Sequence, residues 1–490
     1  MALERKILSI AKPTIQIDKI EGLNFESKDS AVKVADNLTH QAGGLYPLIE
    51  INKYKFTSNE IVSLKIDETG FIPQVSVTFA NSDGLFISTS FPKDGDPLSV
   101  FIRSKKEEFK PIRADFDISF VSSTSSTASD GETSLIVFNG LLRVPGLYAE
   151  HCKSFQKKTS MDTLMDVAKE LGLGFASNET ATNDKMTWLC PFDTYEKFIK
   201  DITAASYKDD DSFYKAFIDK YYYLNFVNVN NQFSEEQEVE KAIELMEEGH
   251  DYHGNHKVEP FETKLLLTNN QNAQGTGNHI ISYSLQNNAG QVVMENGYRR
   301  YLQFYDAFFS SGNTPEKKYQ SHFVEPLHTP GLKDKIILRG RKGENIVENT
   351  SKYKWLGIQF GLPDGNAHEN YLYSIIQNWQ NNQEIEKLLL HVTLGQCNFN
   401  IYRGMRLPVV IINNGSQIRM AATRDEGQDS NTRLTYDRFL SGYYYVAGMK
   451  YTWKSDDQKF RQDLILTRRE WPFPANNSIP DPSSTTNANI

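Results

Sequence analysis

The chain has 490 residues, enough for about two to four domains with ample core between them. Its formal net charge of −9 gives no overall basic field to draw it to nucleic acid or anionic lipid. No stretch approaches the roughly 18 apolar residues of a membrane-spanning helix, so no membrane insertion is expected. Three cysteines, Cys152, Cys190 and Cys397, lie far apart and are odd in number, which argues against a disulfide framework and fits assembly in a reducing cytoplasm. The apolar run near the start, Ile7 to Ala11, is too short for a secretory signal.

Residues 1–45 show weak periodicity and read as an N-terminal arm. Strand patterns follow: Val62, Leu64 and Ile66 alternate with polar neighbours, then Val75, Val77 and Phe79. Ile112, Ala114, Phe116, Ile118 and Phe120 make five inward positions at period two. The Ser/Thr/Ala run Ser122 to Ser129, closed by Asp130-Gly131, reads as a long hairpin loop. Residues 46–155 are therefore expected to form a small antiparallel barrel or sandwich.

An α+β insert is expected over 156–235. Thr159 with Asp162 has capping-box spacing, Met161, Leu164, Met165, Ala168 and Leu171 share a helical face, and Gly172 and Gly174 end that helix. Asp193 with Glu196 opens a second helix that buries Tyr195, Phe198, Ile199 and Ile202. Asp209, Asp210 and Asp211 are read as capping a third, with Phe213, Ala216 and Phe217, before a strand at Tyr222, Leu224 and Phe226. Residues 236–386 form a loop-rich middle region. It opens on a helical pattern at Val239, Ala242, Ile243 and Met246. A further helix is expected near 370–390, with Leu372, Ile375, Ile376 and Trp379 on one side and Ile385, Leu388 and Leu389 beyond. Strand patterns return over 387–473, and 474–490 is a Pro/Asn/Ser/Thr tail with too little apolar surface to fold alone.

The chain also repeats itself. Gly95 to Ile102 matches Gly404 to Ile411 as G-x-x-L-x-V-x-I, and Phe138 to Leu147 matches Leu440 to Met449 around paired glycines. Two ordered matches suggest two copies of one strand-turn-strand unit, hence two related barrels.

The order of barrel, α+β insert, connection and second barrel resembles the central hub of contractile-tail (myophage) baseplates and the related part of type VI secretion spikes. Trp188, Phe192, Tyr195 and Phe198 carry the likeness in the insert. Asn296-Gly297-Tyr298, Tyr301 and Gln303 carry it before the second barrel, where Gly404 to Asn414, Gly442 to Trp453 and Phe460 to Arg468 match that barrel's strands. The stretch 307–385 departs from the family and reads as an insertion. The resemblance implies an α+β, mainly β fold with two tube-type barrel domains. It implies a homotrimer whose pseudo-sixfold ring joins the sixfold tail tube to the threefold central spike. Its partners would be further copies of itself, the spike protein, the tube or tube-initiator protein and baseplate wedge proteins. Phage DNA would pass through the bore without specific binding, and the place would be the virion's tail baseplate, assembled in the host cytoplasm. An acidic ring, about −27 for three chains of −9, would repel DNA phosphates.

No catalytic residue, cofactor or metal ligand is assigned. His250, His253 and His256 sit three apart, but Gly249 and Gly254 break a helix there, so solvent-facing loop histidines are the favoured reading over a metal site. Gly340-Arg341-Lys342-Gly343 lacks the spacing of a phosphate loop. Tyr443, Tyr444 and Tyr445 read as a strand with one aromatic inward and two at an interface. The alternatives are a baseplate-associated peptidoglycan hydrolase, with a carboxylate cleft in 307–385, and a carbohydrate- or receptor-binding tail protein.

Overall fold

A computed structural model describes residues 6–15, 46–81 (less 53 and 57–59), 86, 91–103 (less 94), 112–126, 133–233, 265–288 (less 271, 272, 275 and 276), 300–306, 352–358, 368–412 (less 369 and 387) and 437–468 (less 438 and 458). The chain is α+β and mainly β. In chain order it begins with β1 (Leu8–Ala11), β2 (Tyr46–Ile51), β3 (Tyr54–Lys55), β4 (Ile61–Asp67), β5 (Gln74–Asn81), β6 (Pro97–Arg103), β7 (Ile112–Ser126), β8 (Thr133–Leu142) and β9 (Glu150–Lys158). Next come α1 (Ser160–Glu170), β10 (Gly174–Ser177), β11 (Met186–Thr194), α2 (Tyr195–Ala205), β12 (Tyr214–Ile218) and β13 (Tyr223–Asn228). The remainder is β14 (Leu267–Thr268), β15 (Ile280–Asn287), β16 (Arg300–Asp306), β17 (Lys352–Ile358), α3 (Tyr371–Ile385), β18 (Leu388–Leu394), β19 (Arg406–Val410), β20 (Gly442–Lys454) and β21 (Phe460–Thr467).

Thirteen strands make one sheet in the order β15-β18-β21-β20-β4-β5-β8-β7-β6-β2-β3, with β19 beside β20 and β14 beside β19. The sheet contains the same unit twice. The order β4-β5-β8-β7-β6-β2 recurs as β15-β18-β21-β20-β19-β14, and the strands of each unit pair in the same succession. Register agrees as well. Leu98 faces Phe116 across β6 and β7 as Leu407 faces Tyr444 across β19 and β20. One extra residue interrupts β7 between Ile118 and Phe120, and β20 at the equivalent place between Val446 and Gly448. A second matched bulge lies between Ile61 and Ser63 in β4 and between Ile280 and Ser282 in β15. The outermost pair differs, β2 running antiparallel to β6 but β14 parallel to β19.

Of the two sequence matches, the first is structural: Gly95 and Gly404 each turn the chain into the strand at φ 86°, a conformation glycine adopts without strain. The second is not. Gly140 lies near the end of β8 and Gly442 at the start of β20, and the counterpart of β8 is β21. Among the described residues neither half closes on itself. The expected pair of small barrels is a single continuous sheet, because β4 pairs with β20 and fuses the halves.

A second layer packs on the sheet. Strands β1-β10-β13-β12 form a four-stranded sheet in which the arm segment β1 supplies an edge, and β9 with β11 forms a ribbon. Thr159 caps α1 by accepting from the Asp162 N–H, and Met161, Leu164, Val167 and Ala168 are buried. In α2 the cap is Thr194, which accepts from Lys197 N, one residue beyond the expected Asp193. Strands β16 and β17 form a separate parallel pair.

Several sequence expectations change. Ser122 to Ser126 is strand, the far half of β7 and not loop. The bulge after Ile118 leaves Phe120 exposed, so Ile112, Ala114 and Phe116 are the fully buried members of that series. Phe213, Ala216 and Phe217 do not lie on a helix: Asp209 to Ser212 closes a turn, Ser212 Oγ accepting from Lys208 N and Asp209 N, and β12 follows. Leu388 and Leu389 belong to β18. Helix α3 buries a polar stripe, Ser374, Gln377, Asn378 and Asn381. The Asn378 amide donates to Ala204 O and Ser206 O and its oxygen accepts from Tyr214 N, while Ser374 Oγ donates to Ala205 O, so this stripe satisfies the carbonyls that end α2.

Candidate functional site

No described group of His, Cys, Asp or Glu could hold a metal ion. His250, His253 and His256, and Gly340 to Gly343, lie outside the described residues, as does most of 307–385. The three cysteines are free, Cys152 exposed and the other two buried. Among the described residues no helix is long and apolar enough to cross a membrane. Among the described residues a buried polar constellation lies instead where the two halves of the sheet and the second layer meet.

The joint is antiparallel, Asp67 facing Lys450 and Leu64 facing Trp453. The turn between β12 and β13 enters it from the second layer. Asp219 Oδ1 accepts from Tyr221 N and Tyr223 N and its Oδ2 from Asn225 Nδ2, which shapes the turn; burial raises the Asp219 carboxyl pKa against these bonds. Lys220 then reaches into the joint, its Nζ 2.9 Å from Glu68 Oε1 and 3.0 Å from Tyr451 Oη. The lysine and glutamate side chains are 1% and 2% exposed. Burial alone would lower the Lys220 pKa, but the Glu68 carboxylate, with Tyr451 and Tyr221 beside it, raises it well above the ordinary lysine value. Tyr222 adopts φ 63°, unusual for a bulky residue, and its hydroxyl accepts from Asp115 N at 2.9 Å, tying the turn to β7.

Arg403 repeats this bracing from the other side. Its guanidinium donates to Ala447 O, the bulge residue of β20, and to Thr69 O and Gly70 O in the turn after β4, while its carbon lies 4.3 Å from the Phe217 ring centre. A buried lysine and a partly buried arginine therefore each bind first half, second half and α+β layer together. Neither carries a short motif; the available signal was a lysine in an otherwise aromatic turn, Lys220-Tyr221-Tyr222-Tyr223.

Tyr443, Tyr444 and Tyr445 are all buried, which corrects the expectation of two at an interface. Arg406 lies over Tyr443, Arg468 over Tyr444, and Tyr445 packs with Phe213, Phe217, Val227, Phe233 and Ile385. Burial pushes the Tyr444 and Tyr445 hydroxyls up to about 12. Of the aromatics singled out in the insert, Trp188, Tyr195 and Phe198 are core, whereas Phe192 is 72% exposed at φ 56°.

No family model and no curated protein matches the chain. Solved structures do resemble it. The tail protein from Neisseria meningitidis MC58 has a TM-score of 0.45 and 9% identity, over 87% of this chain and 97% of that one. The 43 kDa tail protein of prophage MuSo2 from Shewanella oneidensis has a TM-score of 0.45 and 10% identity, over 87% and 98%. A type VI secretion component from E. coli, described as structurally similar to the T4 tail proteins gp27 and gp5, has a TM-score of 0.38 and 8% identity, over 87% and 79%.

Proposed function

We propose that the chain is a non-catalytic structural component of a contractile phage tail, the central hub of the baseplate. Three copies form a ring of six sheet halves, which meets the sixfold tail tube on one side and the threefold spike on the other. Wedge proteins contact its outside and the genome passes through its bore. Residues 46–155 act as one tube-type domain and 387–473, joined by β14 and β15, as the other, with 156–235 as the insert that braces them.

One observation carries this reading: a single chain holds the same five-strand unit twice, with two matched bulges and a sixth strand at the equivalent edge of each. An adaptor between threefold and sixfold partners needs two near-equivalent units per chain. Light scattering with negative-stain class averages tests it. A particle of about 168 kDa, three times 55.9 kDa, showing six lobes around a bore is the expected result. A monomer at every concentration, or a compact particle without a bore, would overturn it.

A further inference from the structure

The described part of the N-terminal arm, residues 6–15, lies in a groove along β10 in the second layer. Strand β1 pairs with β10, Ser9 facing Ala176, and Thr14 N and Ile15 N both donate to Gly172 O at 2.8 Å. All four residues of β10 are buried, β13 covering one edge and the arm the other. Two glycines make room for the arm. A Cβ on Gly174 would lie 2.9 Å from Ala11 O, and one on Gly404 would lie 2.9 Å from Ile7 Cδ1. The arm itself brings little burial to this groove. No residue from Lys6 to Ile15 is fully buried, and Ile7, Ala11 and Ile15 pack only partly against the core. Leu8 and Ile10 are 50% and 46% exposed.

We infer that the arm is exchanged between copies, β1 of one chain filling the groove along β10 of the next. This deepens the ring reading and rests on it for the neighbouring copy. Thirty residues, 16–45, connect Ile15 to Tyr46, where β2 begins. At roughly 3.3–3.6 Å per residue, a tether of that length can reach about 100 Å. That is several times the radius of gyration of a compact chain this long, roughly 23 Å. Loop-closure cost rises only slowly with length, so inside an oligomer a neighbour's groove is no worse a destination than the chain's own.

Two features favour the neighbour's groove. A strand laid across to a second copy lies between the body it leaves and the body it fills. That position covers the outward apolar side chains Leu8 and Ile10, which the chain on its own leaves half in solvent. Charge fits as well: residues 6–15 carry Lys6 and Lys12 and no acid, on a chain of net −9. Bodies of that charge repel one another, and a basic arm set against an acidic neighbour offsets part of the repulsion. Exchange of an identical element is a low-cost route to assembly, because each copy regains the contacts it gives away.

Cysteine pairing tests the exchange. Directly opposed residues of an antiparallel pair have Cα atoms about 4.5–5.5 Å apart, within reach of a disulfide. The full chain carrying Ser9→Cys and Ala176→Cys, with exposed Cys152→Ser, is oxidised and run denatured without reductant. Most of it is expected in covalent dimers and trimers. The chain with Ser9→Cys and Cys152→Ser alone is expected to run as a monomer on the same gel. Co-expressing one chain that bears only Ser9→Cys with another that bears only Ala176→Cys, both with Cys152→Ser, is expected to join the two. Light scattering under reducing conditions separates this inference from the ring. A trimer without bonds between chains at positions 9 and 176 would overturn the exchange and leave the ring standing. A monomer without them would overturn both.

Discussion

The two halves of the sheet share strand order, register and bulges, yet they sit in different surroundings. In β20 the run Tyr443, Tyr444, Tyr445, Val446 is buried throughout, because the α+β layer covers one face and the core the other. The equivalent residues of β7 are Asp115, Phe116, Asp117 and Ile118. There Phe116 is in the core, Asp115 is buried against Ser99 Oγ and the Tyr222 hydroxyl, and Asp117 faces solvent beside Arg143. A strand covered on both faces reads as a continuous apolar run, and one covered on a single face reads as alternation. The same fold thus supports two unlike sequences, and what differs is the neighbour.

Removing the cation that joins the halves should have the largest effect. Lys220→Met leaves Glu68 buried without its partner and should cost about 3–5 kcal/mol, measured by urea denaturation. Adding Glu68→Leu should restore most of it, and failure to do so would mean the pair does more than neutralise charge. Because the Lys220 pKa is raised on folding, its contribution is complete below the ordinary lysine value of about 10.4 and fades only as pH climbs through the folded value. The next test compares equivalent positions directly. Tyr445→Ala should cost about 3–5 kcal/mol by emptying a core site. Asp117→Ala, at the same place in the other half, should change stability by under about 0.5 kcal/mol. Equal costs would refute the contrast between covered and open faces.

The smallest effect concerns pH and the covering layer alone. His368 is half-buried among Trp188, Tyr207 and Tyr371, with Nε2 3.0 Å from Ala205 O and Asp184 nearby; burial lowers its pKa. The unfolded chain therefore takes up this proton first, and stability should fall as pH drops below about 6.5. His368→Gln should flatten that part of the curve, read as the difference between variant and parent from about pH 7 to about pH 5. An unchanged slope would assign the effect to other groups such as His391.

Much of the fold was legible where periodicity was undisturbed: the alternation in β5, the capped helix α1, and the repeat at Gly95 and Gly404; in β4 the bulge after Ile61 leaves only Leu64 and Ile66 of the expected series buried. The misreadings have physical causes. A serine run resembles a loop in composition, but in β7 the hydrogen-bonded neighbour β8 makes it strand, overriding weak β propensity. The stripe in α3 was sought among Leu and Ile, and Ile375 and Ile385 do pack, but the helix also buries Ser374, Gln377, Asn378 and Asn381, of which Ser374 and Asn378 satisfy the carbonyls that end α2. The Lys220 and Arg403 braces were invisible because each joins residues hundreds of positions apart, and no local pattern records such a contact.

The joint between the halves also sets a clock. Asp67 of β4 waits for Lys450 of β20, roughly 380 residues later in the chain. At synthesis rates of roughly 5–20 residues per second, β4 stays without that partner for about 20–80 s after it is made. Throughout that interval Leu64 and Ile66 lie on a bare margin of a half-finished molecule, on a ribosome whose neighbours are making the same strand. The charges of Lys65 and Asp67, which the finished protein uses in its seam, are of the kind that disfavours edge-to-edge pairing while a strand is still bare.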